Sequence, residues 1–231
     1  MSVLEAAIGW LAPSQCISCG VEGLALCKSC STSYILPFGE RCAYCGSLSA
    51  KARTCRHCRR AGTPRFVWIT TDYQATAQEL VQVYKFGHLR AAAQPIATMM
   101  AQTFQSFNDP AELKAANYLV VPLPTATSRV RQRGFDHSSL LAKILAQKFG
   151  LEYCQGLGRL GQARQVGASR QIRLSQKASD YFARQPHRLS GRNILLIDDV
   201  ITTGSSIIAA TQSLRAAGAA HVDALVFAKR L

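Results

Sequence analysis

The sequence predicts an α/β fold, in which a parallel sheet is flanked by helices, preceded by a small cysteine-rich domain. Two observations carry this prediction: eight of the nine cysteines lie before residue 60, and strand-like and helix-like segments alternate after Pro64. With 231 residues, 48% hydrophobic and 17% charged, the chain has ample apolar material for a core. This composition excludes a mainly disordered or collagen-like protein. We place the two domains at residues 1–62 and 63–231.

The first half of the larger domain is predicted to contain two strands and two helices. Residues 66–73 are rich in β-branched and aromatic residues and predict a strand. Residues 76–86 place Leu80 and Tyr84 at helical spacing and predict a helix. A second helix is expected over residues 91–107. Residues 118–121 are continuously apolar, which predicts a buried strand that leads into a proline.

The second half continues the alternation. Apolar residues recur at helical spacing over residues 138–149, which predicts a helix, and residues 193–197 form a buried strand. A helix is expected at residues 205–217 and a last strand at residues 221–227. Strands that alternate with helices favour a parallel sheet covered on both faces. The segment 155–190 is polar and rich in Arg and Gln, and we expect a loop there.

The N-terminal residues predict no route of export. Residues 1–10 lack a basic stretch and are followed by no cleavage-like site. The apolar stretch 3–11 is too short for a membrane span, which needs about 20 residues. Its pattern fits a short amphipathic helix packed on the body, in preference to a membrane or partner anchor. We therefore expect a cytoplasmic protein without a transmembrane segment, whose thiols stay reduced.

The cysteines before residue 60 form four CxxC units. A CxxC turn presents two thiolates on one side, and two such units complete a tetrahedral zinc site. Disulfides are disfavoured in a reducing compartment, and redox-active motifs are disfavoured because no βαβ pattern surrounds the pairs. We predict two structural zinc sites. Pairing neighbouring units is the simplest assignment, while an interleaved cross-brace is also compatible with the spacing. The eight ligands are Cys16, Cys19, Cys27, Cys30, Cys42, Cys45, Cys55 and Cys58.

A second motif joins the predicted strand at residues 193–197 to the helix that follows. Two adjacent carboxylates, Asp198 and Asp199, come at the end of this strand and could accept hydrogen bonds from ribose hydroxyls. A turn of threonine, glycine and serine then opens the helix. Backbone amides at such a turn and helix start suit a phosphate monoester. The turn consists of Thr202, Thr203, Gly204, Ser205 and Ser206.

The chain is strongly basic, and the excess is concentrated. Lys and Arg number 27 against 13 Asp and Glu, which gives a net charge of +14. Residues 129–192 contain thirteen Lys or Arg and three acids, and therefore carry +10 of this charge. Such an excess points to polyanionic partners: nucleic acid, phosphate-bearing small molecules or acidic membrane surfaces.

The motif around Asp198 and Asp199 resembles the binding motif for 5-phosphoribosyl 1-pyrophosphate (PRPP) in type I phosphoribosyltransferases. The fuller pattern is similar to the ComF family of competence-associated proteins, which joins a cysteine-rich zinc module to that fold. Besides the CxxC units and the aspartate motif, the matching residues are Tyr84-Lys85-Phe86, Val121-Pro122-Leu123-Pro124, Arg129, Arg133-Gly134-Phe135-Asp136-His137, Gln165, Arg170 and Arg173. Ala168 and Gln176 depart from the usual Leu and Asn.

The resemblance implies a type I phosphoribosyltransferase-like fold and a PRPP site with magnesium. Lys85 and Arg133 would join the turn residues in binding PRPP, and the two aspartates would be the catalytic residues. Single-stranded DNA would bind along the arginine-rich surface, and the protein would act with other DNA-uptake proteins in natural transformation. The alternative is an active phosphoribosyltransferase of unknown acceptor. The expected nucleic-acid contacts are Arg129, Arg131, Arg170 and Arg173.

Overall fold

The computed structural model describes residues 14–87, 89–109, 116–160 and 180–230. The predicted N-terminal helix lies outside these residues, as do Gln165, Arg170 and Arg173. Within the described ranges, no helix is long and apolar enough to cross a membrane.

Seven strands and seven α-helices are found in the described residues. The strands are β1 Val67–Asp72, β2 Tyr118–Pro122, β3 Glu152–Tyr153, β4 Leu157–Arg159, β5 Tyr181–Ala183, β6 Asn193–Ile201 and β7 His221–Lys229. The helices are α1 Lys28–Tyr34, α2 Ala75–Lys85, α3 Ala93–Phe107, α4 Thr127–Arg133, α5 His137–Phe149, α6 Pro186–Leu189 and α7 Ser205–Ala216. Short 3-10 helices lie at Ala50–Ala52 and Arg90–Ala92.

The predicted parallel sheet is confirmed. Five strands pair in the order β1-β7-β6-β2-β3, and every pairing among them is parallel. Alternate residues of β6 point to opposite faces: Leu195 and Ile197 join one apolar cluster, whereas Ile194 and Leu196 join the other. Because both sets are buried, the central strand is apolar without alternation, as is typical of a sheet covered on both faces.

The helices divide between the two faces of the sheet. Leu80 of α2, Met100 of α3 and Leu145 of α5 are buried on one face. Ile207 and Leu214 of α7 are buried on the other. The apolar stripes of these helices therefore cover the strands, and burial of these stripes provides most of their stabilisation.

The chain connections diverge between β2 and β6. From β2 the chain passes through α4 and α5 to β3 at one edge, whereas from β6 it passes through α7 to β7 on the opposite side. Neighbouring strands whose connections run in opposite directions leave a crevice at their carboxyl ends. Ligands of open α/β sheets bind in such crevices.

The cysteine-rich segment packs onto the body of the protein. Leu26 and Ile35 join the cluster that contains Trp68 of β1. Phe38 and Ala43 join the cluster on the other face, and the Phe38 amide donates a 3.0 Å hydrogen bond to the Thr70 carbonyl. The two predicted domains therefore share their apolar cores, and the boundary at 62/63 stays a prediction.

Two local expectations differ from the structure. β6 continues through both aspartates to Ile201, so the acids lie inside the strand, not after it. The segment 155–190, expected to be a loop, contains β4, β5 and α6; β4 and β5 pair in antiparallel fashion. These strands have three residues each, too few for a periodic pattern to show in the sequence.

Candidate functional site

The two adjacent aspartates lie near the carboxyl end of β6, in the crevice beside β2. Asp199 is buried, and its carboxylate lies 2.8 Å from the Lys85 ammonium. Asp198 accepts hydrogen bonds from the Ser138 hydroxyl at 3.2 Å and from the Asp199 amide at 2.9 Å. Burial, followed by the neighbouring Asp199 charge, raises the pKa of Asp198 to about 7. The pair thus combines one ion-paired carboxylate with one that can exchange a proton near neutral pH.

Two distant segments meet beside Asp199. The Tyr84 hydroxyl donates to the His137 carbonyl at 2.8 Å, and His137 Nε2 donates to the Tyr84 carbonyl at 3.1 Å. The Phe135 ring packs on His137 with centroids 4.2 Å apart. Burial lowers the pKa of His137, so its imidazole is neutral at pH 7. This reciprocal pair fixes the end of α2, and with it Lys85, against the start of α5.

Arg133 points toward this cluster from the end of α4. It is 8% exposed, and its guanidinium lies 4.8 Å from the centre of the Phe86 ring. Burial lowers the pKa of Arg133, while the Asp199 charge opposes that effect. Arg129 lies one turn earlier on the same side of α4, and both Arg129 and Arg131 are exposed. Of these three arginines, Arg133 is the one that the structure places beside the aspartates.

The turn after β6 has the geometry of an anion site. Gly204 adopts a left-handed conformation with φ of 79°, immediately before α7 begins. The Thr203 hydroxyl donates to the Ser205 hydroxyl at 3.2 Å and accepts a 3.4 Å hydrogen bond from the Ser205 amide. Lys229 at the end of β7 donates to the Thr202 carbonyl at 2.6 Å. The backbone amides of the first turn of α7 and the positive end of the helix dipole meet at this turn, which suits a phosphate group.

The loop after β2 lies next to the aspartates. The Leu123 amide donates to the Ile197 carbonyl at 2.9 Å, which holds residues 122–127 beside the carboxyl end of β6. A cleft of about 180 Å³ opens between this loop and the β4–β5 hairpin. Thr125, Arg159 and Arg184 are among its lining residues. The lining also contains the Asp136 carboxylate and apolar residues such as Val130 and Leu157, so it is mixed in character.

The eight paired cysteines form two four-sulfur clusters. Cys16, Cys19, Cys27 and Cys30 make the first cluster, and Cys42, Cys45, Cys55 and Cys58 the second, with sulfur atoms within 4.8 Å of one another in each. Neighbouring units pair, so the structure does not adopt the cross-brace. The Cys19–Cys27 and Cys45–Cys55 sulfurs are 3.8 and 3.6 Å apart. Four sulfurs at about 2.3 Å from a tetrahedral zinc lie about 3.8 Å apart, so each cluster fits this metal.

The chain is similar in sequence to proteins that are already known. A model of the phosphoribosyl transferase domain matches residues 136–231. Competence protein ComFC of Bacillus subtilis is 26% identical over 209 residues, which cover 84% of this chain and 80% of that protein. DNA utilization protein YhgH of Salmonella typhimurium is 28% identical over 187 residues, 79% of this chain and 81% of that protein. The chain is thus similar to ComFC and YhgH over about four fifths of its length.

Enzymes of phosphoribosyl transfer match a smaller part of the chain. Uracil phosphoribosyltransferase of Streptomyces coelicolor is 32% identical over 109 residues, which are 46% of the chain and 51% of the enzyme. A glutamine PRPP amidotransferase structure from B. subtilis is 20% identical with a TM-score of 0.41, and covers 58% of this chain and 25% of that one. The family model and the five-stranded parallel sheet confirm the predicted fold class.

The structure brings most of the predicted PRPP-binding residues to one edge of the sheet. Lys85 and Arg133 reach the aspartates from α2 and α4, and the turn at 202–206 follows directly. Sequence analysis missed Ser138, Lys229 and Tyr44, whose ring lies against Gly204 of the turn. Ser138 directly follows the Arg-Gly-Phe-Asp-His segment, which was the available signal. Lys229 and Tyr44 lie far from the turn along the chain, and no local pattern marks them.

Proposed function

We propose that this ComF-like protein binds PRPP at the carboxyl edge of its sheet and single-stranded DNA on its basic surface, for DNA uptake or processing in natural transformation. The observation that carries the PRPP part is the meeting of the Asp198/Asp199 pair with a phosphate-binding turn at the crevice between β2 and β6. The names of the ComFC and YhgH relatives support the role in competence and DNA use.

Each part of PRPP has a matching group in the crevice. The amides and hydroxyls of residues 202–206 would bind the 5-phosphate, and the aspartates would accept hydrogen bonds from the ribose hydroxyls. Lys85 and Arg133 would bind the pyrophosphate, for which Lys85 must share its charge between the ligand and Asp199. Magnesium would accompany the pyrophosphate, because phosphate oxygens and water are its usual ligands beside a few carboxylates.

The DNA part of the proposal rests on charge. Arg129 and Arg131 are exposed on α4, and the region 129–192 carries a net charge of +10. Phosphate neutralisation by such a surface supplies affinity that does not depend on sequence. Arg170 and Arg173 belong to the same proposed DNA-binding region, residues 129–192. A cytoplasmic location and contacts with other DNA-uptake proteins complete this role, with zinc as the structural ion of both cysteine clusters.

An active phosphoribosyltransferase is the second candidate, favoured by the similarity to uracil phosphoribosyltransferase. Lys85 and Arg133, together with magnesium, would stabilise the departing pyrophosphate. The two aspartates would be the catalytic residues, since carboxylates stabilise the positive charge that develops on the ribose. The cleft lined by Arg159 and Arg184 lies beside this centre.

Replacing both aspartates with asparagine tests the PRPP site. Asp198→Asn with Asp199→Asn keeps the size of both side chains and removes both carboxyl groups. Hydrogen bonds to charged groups contribute about 1.5–3 kcal/mol each, so PRPP affinity measured by calorimetry should fall about tenfold or more. Single-stranded DNA should still bind. The matched control is Glu79→Gln, an exposed carboxylate of α2, which should leave PRPP affinity unchanged.

Transformation of cells that carry the double variant then separates the roles. Normal DNA binding without transformation means that the PRPP site is needed, as a sensor or as a catalyst. Full transformation means that DNA binding alone performs the function. Wild-type PRPP affinity in the double variant would show that the aspartates do not bind the ribose.

A further inference from the structure

The second cysteine cluster lies against the phosphate-binding turn. Tyr44 stands between two of its ligands, Cys42 and Cys45, and its ring contacts Gly204. A Cβ added to Gly204 would lie 2.6 Å from Tyr44 Cε1, closer than any real contact permits. Gly204 therefore has no side chain for two reasons, its left-handed φ and the tyrosine above it. The position of the turn and the position of Tyr44 depend on each other.

The Tyr44 side chain is enclosed by the protein. Its hydroxyl oxygen is buried and has no hydrogen-bond partner among the described residues. Its backbone lies between two ligands of the second cluster, and its ring edge lies on Gly204. Tyr44 thus links the cluster to the turn.

Lys229 contacts the same turn from the end of β7. Its ammonium is buried and donates to the Thr202 carbonyl at 2.6 Å. The turn is therefore held from β7 as well as by Tyr44.

The first cluster makes no such contact in the described residues. Cys16 and Cys30 pack with Leu26 and Trp68 in the apolar cluster on the other face of the sheet. By contrast, Phe38 and Ala43, in the segment of the second cysteine cluster (residues 38–60, the second ribbon), belong to the same apolar cluster as Ile201, which directly precedes the turn. The two clusters have the same ligands, and they differ in what lies beside them.

We propose that metal bound at the second cluster holds the phosphate-binding turn in its ligand-binding conformation, through Tyr44, so that metal and phosphate ligand favour each other's binding. Tyr44 is a positioning residue in this proposal. The inference rests on the proposed function, in which this turn binds a phosphate of PRPP. Because coupling between two sites is reciprocal, PRPP should also slow loss of the second metal ion.

Two matched cysteine variants test the coupling. Cys45→Ser and Cys19→Ser each remove one exposed sulfur, from the second and the first cluster respectively. With magnesium present, Cys45→Ser should weaken PRPP binding about tenfold or more in calorimetry, whereas Cys19→Ser should change it less than about twofold. Zinc content is measured for both variants. Equal losses of PRPP affinity in the two variants would overturn the proposal.

Tyr44 variants separate positioning from general stability. Tyr44→Phe keeps the ring on Gly204 and should bind PRPP like the wild type, whereas Tyr44→Ala should bind it about tenfold more weakly with both zinc ions retained. In the wild type, PRPP should slow transfer of one of the two zinc ions to a chromogenic chelator that leaves magnesium bound. Tyr44→Ala should lose this protection. These rates report the coupling directly. A variant that was only less stable would still release zinc more slowly with PRPP than without it.

The outcomes distinguish this inference from the proposed function. Wild-type protein that binds PRPP, yet loses both zinc ions equally fast with and without it, overturns the coupling and leaves the PRPP site in place. Wild-type PRPP affinity in Tyr44→Ala has the same meaning. A wild-type protein that binds no PRPP overturns the proposed function and the coupling together.

Discussion

Asp198 and Asp199 are neighbours in the chain with different surroundings. Asp199 is neutralised by Lys85 at 2.8 Å, whereas Asp198 receives two neutral donors and has a pKa raised to about 7. The sequence predicts these two residues because the strand, the acids and the turn are contiguous. Ser138 comes from a segment 60 residues away, so only the folded chain places its hydroxyl on Asp198.

The raised pKa of Asp198 makes stability depend on pH. The unfolded carboxyl has a pKa of about 3.9, so the folded state holds this proton more tightly than the unfolded chain. This contribution to the free energy of unfolding is complete below about pH 4 and is lost as pH rises through about 7. Asparagine does not titrate, so Asp198→Asn keeps its stability over the pH range in which the wild type loses this contribution. The free energy of unfolding of Asp198→Asn, relative to the wild type, should therefore increase from pH 5 to pH 8 in urea titrations.

The control for this measurement is Asp180→Asn, which changes an exposed carboxylate. Its stability relative to the wild type should stay constant between pH 5 and pH 8, within about 0.5 kcal/mol. A constant difference for Asp198→Asn as well would mean that Asp198 does not hold the proton near neutral pH.

At the scale of elements, the sequence predicts those with long periodic patterns. The four helices and four strands that are predicted after Pro64 all occur, because each buries an apolar stripe or run against the sheet. The sequence does not show where β6 ends, since its two acids look like the start of a loop. Parallel pairing with β7 as far as Ile201 keeps these residues extended. Tertiary hydrogen bonding thus overrides a polar local sequence.

A buried polar network fixes three strands to one another. Asp223 on β7 is fully buried, pairs with Arg65 just before β1, and accepts a 2.6 Å hydrogen bond from Tyr118 on β2. Asp223→Asn should lower the free energy of unfolding by an amount on the order of 3 kcal/mol, because the arginine loses its ion partner. Tyr118→Phe removes one hydrogen bond and should cost about 1.5 kcal/mol. Urea unfolding of both variants measures these losses, and Asp223→Asn should lose more unfolding free energy than Tyr118→Phe. Equal losses would contradict this prediction.

At the scale of the whole molecule, the cysteine spacing predicts the clusters but not their place on the body. The CxxC spacing brings neighbouring units together, as the structure confirms. Packing of the ribbons depends on a few apolar residues, such as Leu26 and Phe38, which carry no periodic signal. These contacts extend both cores of the sheet into the cysteine-rich segment.

Because the cores are shared, removal of zinc should destabilise the sheet as well as the ribbons. Purified protein should contain about two zinc ions per chain. Chelation should lower the thermal midpoint reported by Trp68 fluorescence, measured in a Trp10→Phe background so that Trp68 is the one tryptophan. Zinc added back should restore the midpoint. A thermal midpoint of Trp68 fluorescence that is unchanged by chelation would mean that the body folds independently of the metal.

The net charge of +14 makes DNA binding depend on salt. Each single-strand phosphate contact contributes about −0.7 to the slope of log affinity against log salt, since neutralisation releases condensed counterions. Replacing Arg131, Arg170 and Arg173 together with Ala should therefore flatten the slope by up to about 2. Arg131→Ala alone should leave PRPP affinity unchanged, because Arg131 is exposed and Arg133 is the arginine beside the aspartates.

A matched triple variant tests where the DNA-binding region lies. Arg56, Arg59 and Arg60 are also exposed, but they lie in the second ribbon, before the basic region 129–192. Their replacement with Ala removes the same charge, so a slope set by net charge alone would flatten equally in both triple variants. Direct contacts along residues 129–192 require the first set to flatten the slope and the second set to leave it nearly unchanged. The opposite result would place the DNA on the cysteine-rich segment.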